Sequence, residues 1–337
     1  MDLNFMEIEK IVRFALAEDI GTGDITTSLT IPSDSTSRAR IVAREAGVIS
    51  GIPVASLVFS LVAQSNSAAG NALLGRLRPE RQLSAEPLFG NGETISISMK
   101  HMGSGAEVRK SKPAARPIMG TGELTYVPSV SDGAVIARGD TIVQISGPTS
   151  VLLTAERTAL NIMQRMSGIA TKTARLVNLI EHTGAKIVDT RKTVPGLRIL
   201  DKYAVRCGGG SNHRFGLYDA VLIKDNHVQA AGSTRAAVLR AKAGAPHTIK
   251  IEVEADTIDQ VREALDAGAD MILFDNMSLD QLREGVKICK DRALTEASGC
   301  VTEETVVGIA ETGVDLISVG ALTHSVKALD LSLEFLD

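Results

Sequence analysis

The chain has 337 residues, 44% of them hydrophobic, which is enough material for a sizeable core and for two domains. Its formal net charge of −4 and its aromatic content of 3%, without tryptophan, argue against a general nucleic-acid-binding protein. The three cysteines, Cys207, Cys289 and Cys300, form no CxxC pair, so neither a disulfide framework nor a zinc site is expected. Free cysteines favour a reducing, cytoplasmic location. The N-terminal residues include acids and no long apolar run, which predicts neither a signal peptide nor a membrane span.

The first part of the chain mixes helix and strand patterns. Apolar residues at helical spacing predict a helix over residues 4–18. Alternating and β-branched residues predict a strand over residues 38–49, and residues 54–62 predict a short helix. Residues 132–146 predict two strands joined by a turn at Gly139 and Asp140. These elements indicate an N-terminal domain.

Residues 64–130 interrupt this domain with a different composition. They are rich in Ser, Gly, Pro and Arg and have no sustained period. Between residues 64 and 118 there are eight Lys and Arg against four acidic residues. Such a segment is typical of a solvated surface insertion, within which residues 95–99 predict one strand.

The longest helical pattern covers residues 152–182. Gly168 is expected to break it into two helices, because glycine in a helix interior is destabilising. Arg157 lies early in the first of these helices.

From residue 187 onward the pattern becomes regular. Apolar runs with the length of buried strands end about 20 to 35 residues apart, and helical stretches lie between them. The runs end near Arg191, Lys224, Glu254, Asp275, Ser298 and Gly320. This repetition predicts parallel β/α units, and six strands predict an incomplete α/β barrel instead of a complete eight-stranded one.

Catalytic groups of such barrels lie at the carboxyl ends of the strands, and polar residues follow every run here. The basic ones are Arg191, Lys192, His213, Arg214 and Lys224. Arginine binds carboxylates and phosphates in a bidentate manner, while the acids Glu254 and Asp275 suit sugar hydroxyls or Mg²⁺ carried by a pyrophosphate. The backbone of the last two loops suits a phosphate. The predicted ligand is a multiply anionic small molecule beside a phosphorylated one.

Several long motifs resemble those of quinolinate phosphoribosyltransferase, the decarboxylating nicotinate-nucleotide pyrophosphorylase. They are DTRKTVPGLR at 189–198, KYAVRCGGG at 202–210, NHR at 212–214, IKDNH at 223–227, ERTALN at 156–161, SGIAT at 167–171, EDIGTGDITT at 18–27, IEVE at 251–254 and VGALTH at 319–324. The resemblance covers nearly the whole chain except residues 64–130. It implies an N-terminal α/β sandwich domain (residues 1–168 and 325–337) and an incomplete, six- or seven-stranded α/β barrel (residues 169–324).

The resemblance also implies the reaction and its residues. Phosphoribosyl pyrophosphate and quinolinate would give nicotinate mononucleotide, pyrophosphate and CO₂, with Mg²⁺ as cofactor. Quinolinate would contact Arg191, His213, Arg214 and Lys224, and phosphoribosyl pyrophosphate would contact Lys192, Glu254 and Asp275. The remaining substrate-binding candidates are Thr190, Ser298, Gly299, Cys300, Val319, Gly320, Ala321 and Arg157. Lys192, Lys224, Glu254 and Asp275 are the predicted catalytic residues, and Glu254 and Asp275 are the candidates for contact with Mg²⁺.

Arg157 would complete the active site of the neighbouring subunit in a homodimer, which could assemble further. Neither a nucleic acid nor a membrane is expected as a partner. Cys300 departs from the small or polar residue usual in the family after the glycine, and the family normally lacks so long an insertion. Glu252 shares a strand face with Glu254 and is the other candidate for the ligand-binding acid. A nicotinate-type phosphoribosyltransferase and a non-catalytic anion-binding barrel are the alternative functions.

Overall fold

The computed structural model describes residues 4–66, 118–119 and 124–336. Its helices are α1 Phe5–Ile20, α2 Ile25–Thr30, α3 Ile52–Asn66, α4 Thr149–Leu179, α5 Arg198–Cys207, α6 Asp225–Ala231, α7 Thr234–Gly244, α8 Ile258–Ala267, α9 Leu279–Cys289, α10 Val306–Ala310 and α11 Ala321–His324. Its strands are β1 Thr36–Ala43, β2 Gly47–Val48, β3 Ile118–Met119, β4 Thr125–Pro128, β5 Val135–Ile136, β6 Thr141–Pro148, β7 Lys186–Val188, β8 Val221–Ile223, β9 Ile251–Ala255, β10 Met271–Asp275, β11 Leu294–Ser298, β12 Leu316–Ser318 and β13 Leu331–Leu336.

An antiparallel sheet with the order β13-β1-β6-β4-β3 forms the first layer. Helix α1 buries Ile8, Val12 and Leu16, which lie one turn apart and form a single apolar stripe. The predicted N-terminal helix is therefore confirmed. Strand β13 pairs with β1, so the last strand of the chain lies beside the first strand in the same sheet.

The second sheet is parallel and carries the candidate site. Its six strands have the order β7-β12-β11-β10-β9-β8, so β7 and β8 are its two edges. The prediction of an incomplete six-stranded α/β barrel is confirmed. Three of its helices, α7, α8 and α9, begin at Ser or Thr caps that accept a backbone N–H, which explains why they start where they do.

The prediction that Gly168 breaks the long helix was wrong. Helix α4 runs without interruption from Thr149 to Leu179. A Cβ at position 168 would lie 2.1 Å from the carbonyl oxygen of Lys327, so the glycine permits a close approach of two main chains. The glycine is required by packing and does not end the helix.

The predicted limits of the insertion also need correction. Residues 125–128 form β4, which pairs with β6 in the antiparallel sheet, so the sheet resumes before residue 130. The turn around Gly139 is present, but the strands on either side of it do not pair with each other, because β5 pairs with β2. The predicted strand over residues 95–99 lies outside the described residues. Among the helices that the structure describes, none is long and apolar enough to cross a membrane.

Candidate active site at the carboxyl ends of the barrel strands

The parallel sheet brings the predicted polar residues together at the carboxyl ends of its strands. Asp275 at the end of β10 is in register with Ser298 at the end of β11. Lys224 follows β8 directly, and Glu254 is the second-to-last residue of β9. Because all six strands run in the same direction, residues that are far apart in the chain meet at these strand ends.

Lys224 and Glu254 form an ion pair across neighbouring strands. The lysine side chain is 46% exposed and the glutamate 13% exposed, so the pair lies at the mouth of the barrel. Asp275 accepts a hydrogen bond from the side chain of Asn276 at 3.0 Å. The two acids remain accessible at the strand ends, where carboxylate oxygens suit sugar hydroxyls or a hard cation such as Mg²⁺.

Arg191 and Arg214 form a second, cationic part of the site. Arg214 donates a hydrogen bond to the carbonyl oxygen of Ala220 at 3.0 Å. Burial and the charge of Arg191 lower the pKa of Arg214, whereas the charge of Glu252 opposes both effects. The Nε of Arg191 is buried and has no hydrogen-bond partner among the described residues. Two neighbouring guanidinium groups, one of them with an unused donor, suit a carboxylate or a phosphate.

Lys192 joins the first and last loops of the barrel. Its carbonyl oxygen accepts a hydrogen bond from the Thr323 hydroxyl at 2.9 Å. A Cβ at Gly320 would lie 2.9 Å from Cδ of Lys192, so the lysine side chain passes directly over this glycine. Arg165 in α4 holds the same loop, because it donates to the Thr323 carbonyl and forms a two-point ion pair with buried Asp201. Lys192 and Gly320 therefore lie side by side.

The loop after β11 has an unusual backbone. Gly299 has φ of 105°, and a Cβ there would lie 2.1 Å from Oδ1 of Asn276, so only glycine fits. Cys300 also has a positive φ, 46°, and its side chain is exposed. The side chain of Cys300 therefore does not fill the loop, and the backbone conformation around Gly299 is retained with cysteine at position 300. Val319 precedes Gly320 in the last loop, and Ala321 follows it as the first residue of α11.

His213 is engaged through both ring nitrogens. Its Nδ1 accepts the backbone N–H of Arg214 at 2.7 Å, and its Nε2 lies 3.0 Å from Glu252 and 3.7 Å from Glu296. In this arrangement neither nitrogen is available to a ligand. Burial alone would lower the pKa of His213, but the hydrogen bond to Glu252 and the charges of both glutamates outweigh burial, and the pKa is raised.

Two buried acids beneath the site, Asp189 and Glu296, were not among the site residues predicted from the sequence. Asp189 accepts hydrogen bonds from Lys202, from Asn212 at 2.5 Å and from the backbone N–H of His213 at 2.9 Å. Glu296 is fully buried in the middle of β11. A charged residue at the centre of a short strand, two positions before Ser298 and on the same face, was the signal that could have indicated it.

Thr190 and Arg157 occupy different positions. Thr190 accepts the backbone N–H of Lys192 through its hydroxyl at 3.0 Å and so shapes the loop. Arg157 is exposed on α4 and contacts none of the other candidates within the described chain. The structure thus brings together the candidates from β7 to β12 and leaves Arg157 apart from them.

Known protein families and relatives match this chain over most of its length. The model of the C-terminal domain of quinolinate phosphoribosyl transferase matches residues 169–334, and the model of its N-terminal domain matches residues 112–167. The chain is 38% identical over 332 residues to a probable nicotinate-nucleotide pyrophosphorylase (carboxylating) of Bacillus subtilis, covering 98% of this chain and 94% of that protein. It is 37% identical to the nicotinate-nucleotide pyrophosphorylase (carboxylating) of Mycobacterium leprae, with 99% of each chain covered.

A solved structure agrees with these sequence relatives. The nicotinate-nucleotide pyrophosphorylase of Francisella tularensis superimposes with a TM-score of 0.79 and 34% identity, covering 99% of this chain and 98% of that one. The similarity extends over both the antiparallel sheet and the barrel. The chain belongs to the quinolinate phosphoribosyltransferase family.

Proposed function

We propose that this protein transfers the phosphoribosyl group of phosphoribosyl pyrophosphate to quinolinate, with decarboxylation, and so forms nicotinate mononucleotide for the synthesis of NAD. The observation that carries this proposal is the near full-length similarity to nicotinate-nucleotide pyrophosphorylases, whose domain models cover the residues around the strand-end site. A transferase of this kind is a pentosyltransferase. A nicotinate-type enzyme and a non-catalytic barrel are not favoured by these relatives.

The cationic part of the site suits a pyridine dicarboxylate. Arg191 has an unused buried donor, Arg214 lies close to it, and Lys224 is partly exposed at the strand end. Binding of two carboxylates would offset the mutual repulsion of the two arginines. A monocarboxylate would leave part of this charge unbalanced, which favours quinolinate over nicotinate.

The remaining strand ends suit phosphoribosyl pyrophosphate. Glu254 and Asp275 would bind the ribose hydroxyls, and Lys192 beside Gly320 would bind a phosphate. Backbone N–H groups within residues 298–300 and 319–321 would bind the second phosphate. The hard oxygen ligands of Glu254 and Asp275 also fit Mg²⁺ that arrives with the pyrophosphate, and bound Mg²⁺ would neutralise charge on the leaving group.

The reaction follows from this placement. The lone pair of the pyridine nitrogen forms a bond to the anomeric carbon, and the bond from that carbon to pyrophosphate breaks, so that pyrophosphate leaves with the electron pair. The acids near the ribose stabilise the positive charge that develops on the ring. The bond between the ring and the 2-carboxylate then breaks, CO₂ leaves, and the electron pair remains beside the cationic nitrogen. A proton from solvent completes the product. Most of the catalysis would be positioning and electrostatic stabilisation.

The surface around Arg157 supports a homodimer with shared sites. Thr154 and Thr158, on either side of Arg157 along α4, hydrogen-bond to Asp24 and Asp19. Ile25 and Leu29, which follow Asp24, are 71% and 80% exposed. Exposed apolar side chains on α2, which packs on α4, and an arginine that makes no contact with its own site suit an interface in which Arg157 enters the site of a second copy.

Turnover assays with quinolinate and with nicotinate, each with phosphoribosyl pyrophosphate and Mg²⁺, test the proposed function. We expect nicotinate mononucleotide, pyrophosphate and CO₂ from quinolinate and little product from nicotinate. Preference for nicotinate would show a related transferase. Binding of quinolinate without turnover would show an anion-binding barrel.

A further inference from the structure

The side chains of His213, Glu252 and Glu296 meet inside the barrel, below the strand ends. The glutamates lie on β9 and β11, and the histidine lies in the loop after α5. Glu296 lies two residues before Ser298 on the same strand, so the two side chains point to the same face. The cluster is therefore the floor of the candidate active site.

The position of one proton in this cluster follows from the hydrogen bonds. Because Nδ1 of His213 accepts the backbone N–H of Arg214, a neutral ring must carry its proton on Nε2. That nitrogen faces Glu252 at 3.0 Å and Glu296 at 3.7 Å. The three ligand atoms lie within 4.8 Å of one another, a spacing that a cation could also bridge. While Nδ1 accepts the backbone N–H, a metal at Nε2 would have to replace this proton and leave an imidazolate, which favours a proton over a metal ion at this place.

Glu296 is the least satisfied member of the cluster. Its side chain has no exposed surface, and neither carboxylate oxygen has a hydrogen-bond partner within the part of the chain that is described. An ionised carboxylate in such a place is strongly disfavoured. Burial, followed by the charge of Glu252, raises the pKa of Glu296 to about 7.

The groups that face Glu296 come from several elements. Glu252 on β9 and Asp189 at the end of β7 raise the pKa of Glu296, whereas His213 lowers it. Ser318 on β12 is the uncharged neighbour that acts in the same direction as His213. The Glu296 carboxyl group is therefore partly protonated near neutral pH, and a new charge close by would change the protonated fraction.

We propose that the buried Glu296 carboxyl group, which lies beneath the quinolinate site and next to His213, takes up a proton when the dicarboxylate binds. This inference rests on the proposed function. Arg214 directly follows His213 and lies close to Arg191, so a dianion bound between the arginines would place negative charge near the cluster. That charge favours the protonated carboxyl, and the proton removes repulsion between Glu296 and the substrate. The contact of Nε2 with Glu252 fixes the His213 ring, whose Nδ1 accepts the backbone N–H of Arg214.

Calorimetric titration of the full-length protein with quinolinate, without phosphoribosyl pyrophosphate, tests the inference. Measurements at pH 7 in two buffers of different ionisation enthalpy give the number of protons taken up. We expect uptake of roughly 0.2 to 0.5 proton per site in the wild type and less than half of that in Glu296→Gln. Glu296→Asp, which keeps a carboxyl group, should recover part of the uptake. Glu303→Gln, an exposed change in the loop after β11, should match the wild type.

The outcomes separate the two proposals. Absence of quinolinate binding to the wild type would contradict the proposed function itself. Binding to the wild type without proton uptake, or equal uptake in wild type and Glu296→Gln, would overturn the role of Glu296 and leave the function intact. If Glu296→Gln does not fold, the wild type still decides, because affinity for quinolinate should weaken between pH 6.5 and 8 at constant ionic strength. A constant affinity over that range would contradict the inference.

Discussion

Lys202 donates a hydrogen bond to Asp189, and neither side chain has any exposed surface. Lys202 also donates to the carbonyl oxygen of His213 at 2.9 Å and lies 5.0 Å from the ring centroid of Phe215. Burial raises the pKa of Asp189 and lowers the pKa of Lys202, and their mutual contact opposes both changes. The pair thus ties the end of β7 to the loop that carries His213 and Arg214.

Removal of one partner of this pair should strongly destabilise the fold. We expect Lys202→Met to lower the free energy of unfolding by about 3–5 kcal/mol, because Asp189 is left buried without its counter-charge. Denaturant unfolding measures the change. Lys186→Met, at an exposed position of β7, is the control and should change stability by less than about 0.5 kcal/mol. Equal effects of the two changes would contradict the role given to the buried pair.

Loss of a cation at the substrate site should mainly reduce turnover. We expect Arg214→Ala and Lys224→Ala each to lower kcat/KM for quinolinate by about 100-fold or more, because a substrate carboxylate then lacks its charged partner. Steady-state kinetics measure the loss, and Arg283→Ala in the exposed ion pair with Asp280 is the control. Near-normal kinetics of both site variants would refute the assigned pocket.

Arg157 allows a test of the shared site. Arg157→Ala subunits and Lys224→Ala subunits should each be weakly active alone. When they are mixed and allowed to exchange, we expect activity up to about a quarter of the wild-type level, because half of the dimers are mixed and each has one intact site. No recovery, with mixed dimers demonstrated by mass spectrometry, would place Arg157 outside the neighbouring site.

Glu296 should give the protein an unusual dependence of stability on pH. Its pKa in the folded protein is about 7, above the ordinary value, so the folded state binds more protons than the unfolded state between these two values. The contribution of Glu296 to stability therefore falls as pH rises toward 7 and changes little above it. We expect Glu296→Gln to gain stability relative to the wild type between pH 5 and 8 in thermal unfolding. A constant difference, such as Glu303→Gln should show, would speak against the raised pKa.

Gly168 should tolerate no side chain. A Cβ at this position would overlap the carbonyl oxygen of Lys327, so Gly168→Ala must displace the chain near β13. We expect a loss of about 1–3 kcal/mol in stability despite the higher helix propensity of alanine. Gly184→Ala has open space around the new Cβ and is the control. Stabilisation by Gly168→Ala would show that the close approach is not required.

The repeated strand and helix units of the barrel were predictable from the sequence because they arise from local patterns. Short apolar runs and amphipathic helices repeat along the chain, and each run ends in a polar residue such as Lys224 or Asp275. Since parallel strands end at one edge, this pattern alone indicated where the charged side chains would gather. The resemblance carried by the long motifs then indicated the reaction.

Other features arise from contacts between residues far apart in the chain, which no local pattern encodes. Gly168 looked like a helix breaker, but the main chain near Lys327, which lies far away in the sequence, makes a glycine necessary inside an unbroken helix. Glu296 and His213 meet only because β11 and the loop after α5 pack into the same barrel. Most strands, helices and strand-end charges could be predicted from the sequence, since these depend on neighbouring residues. The pairing of buried charges and the close approach of main chains depended on the fold, because burial and distance are properties of the packed molecule.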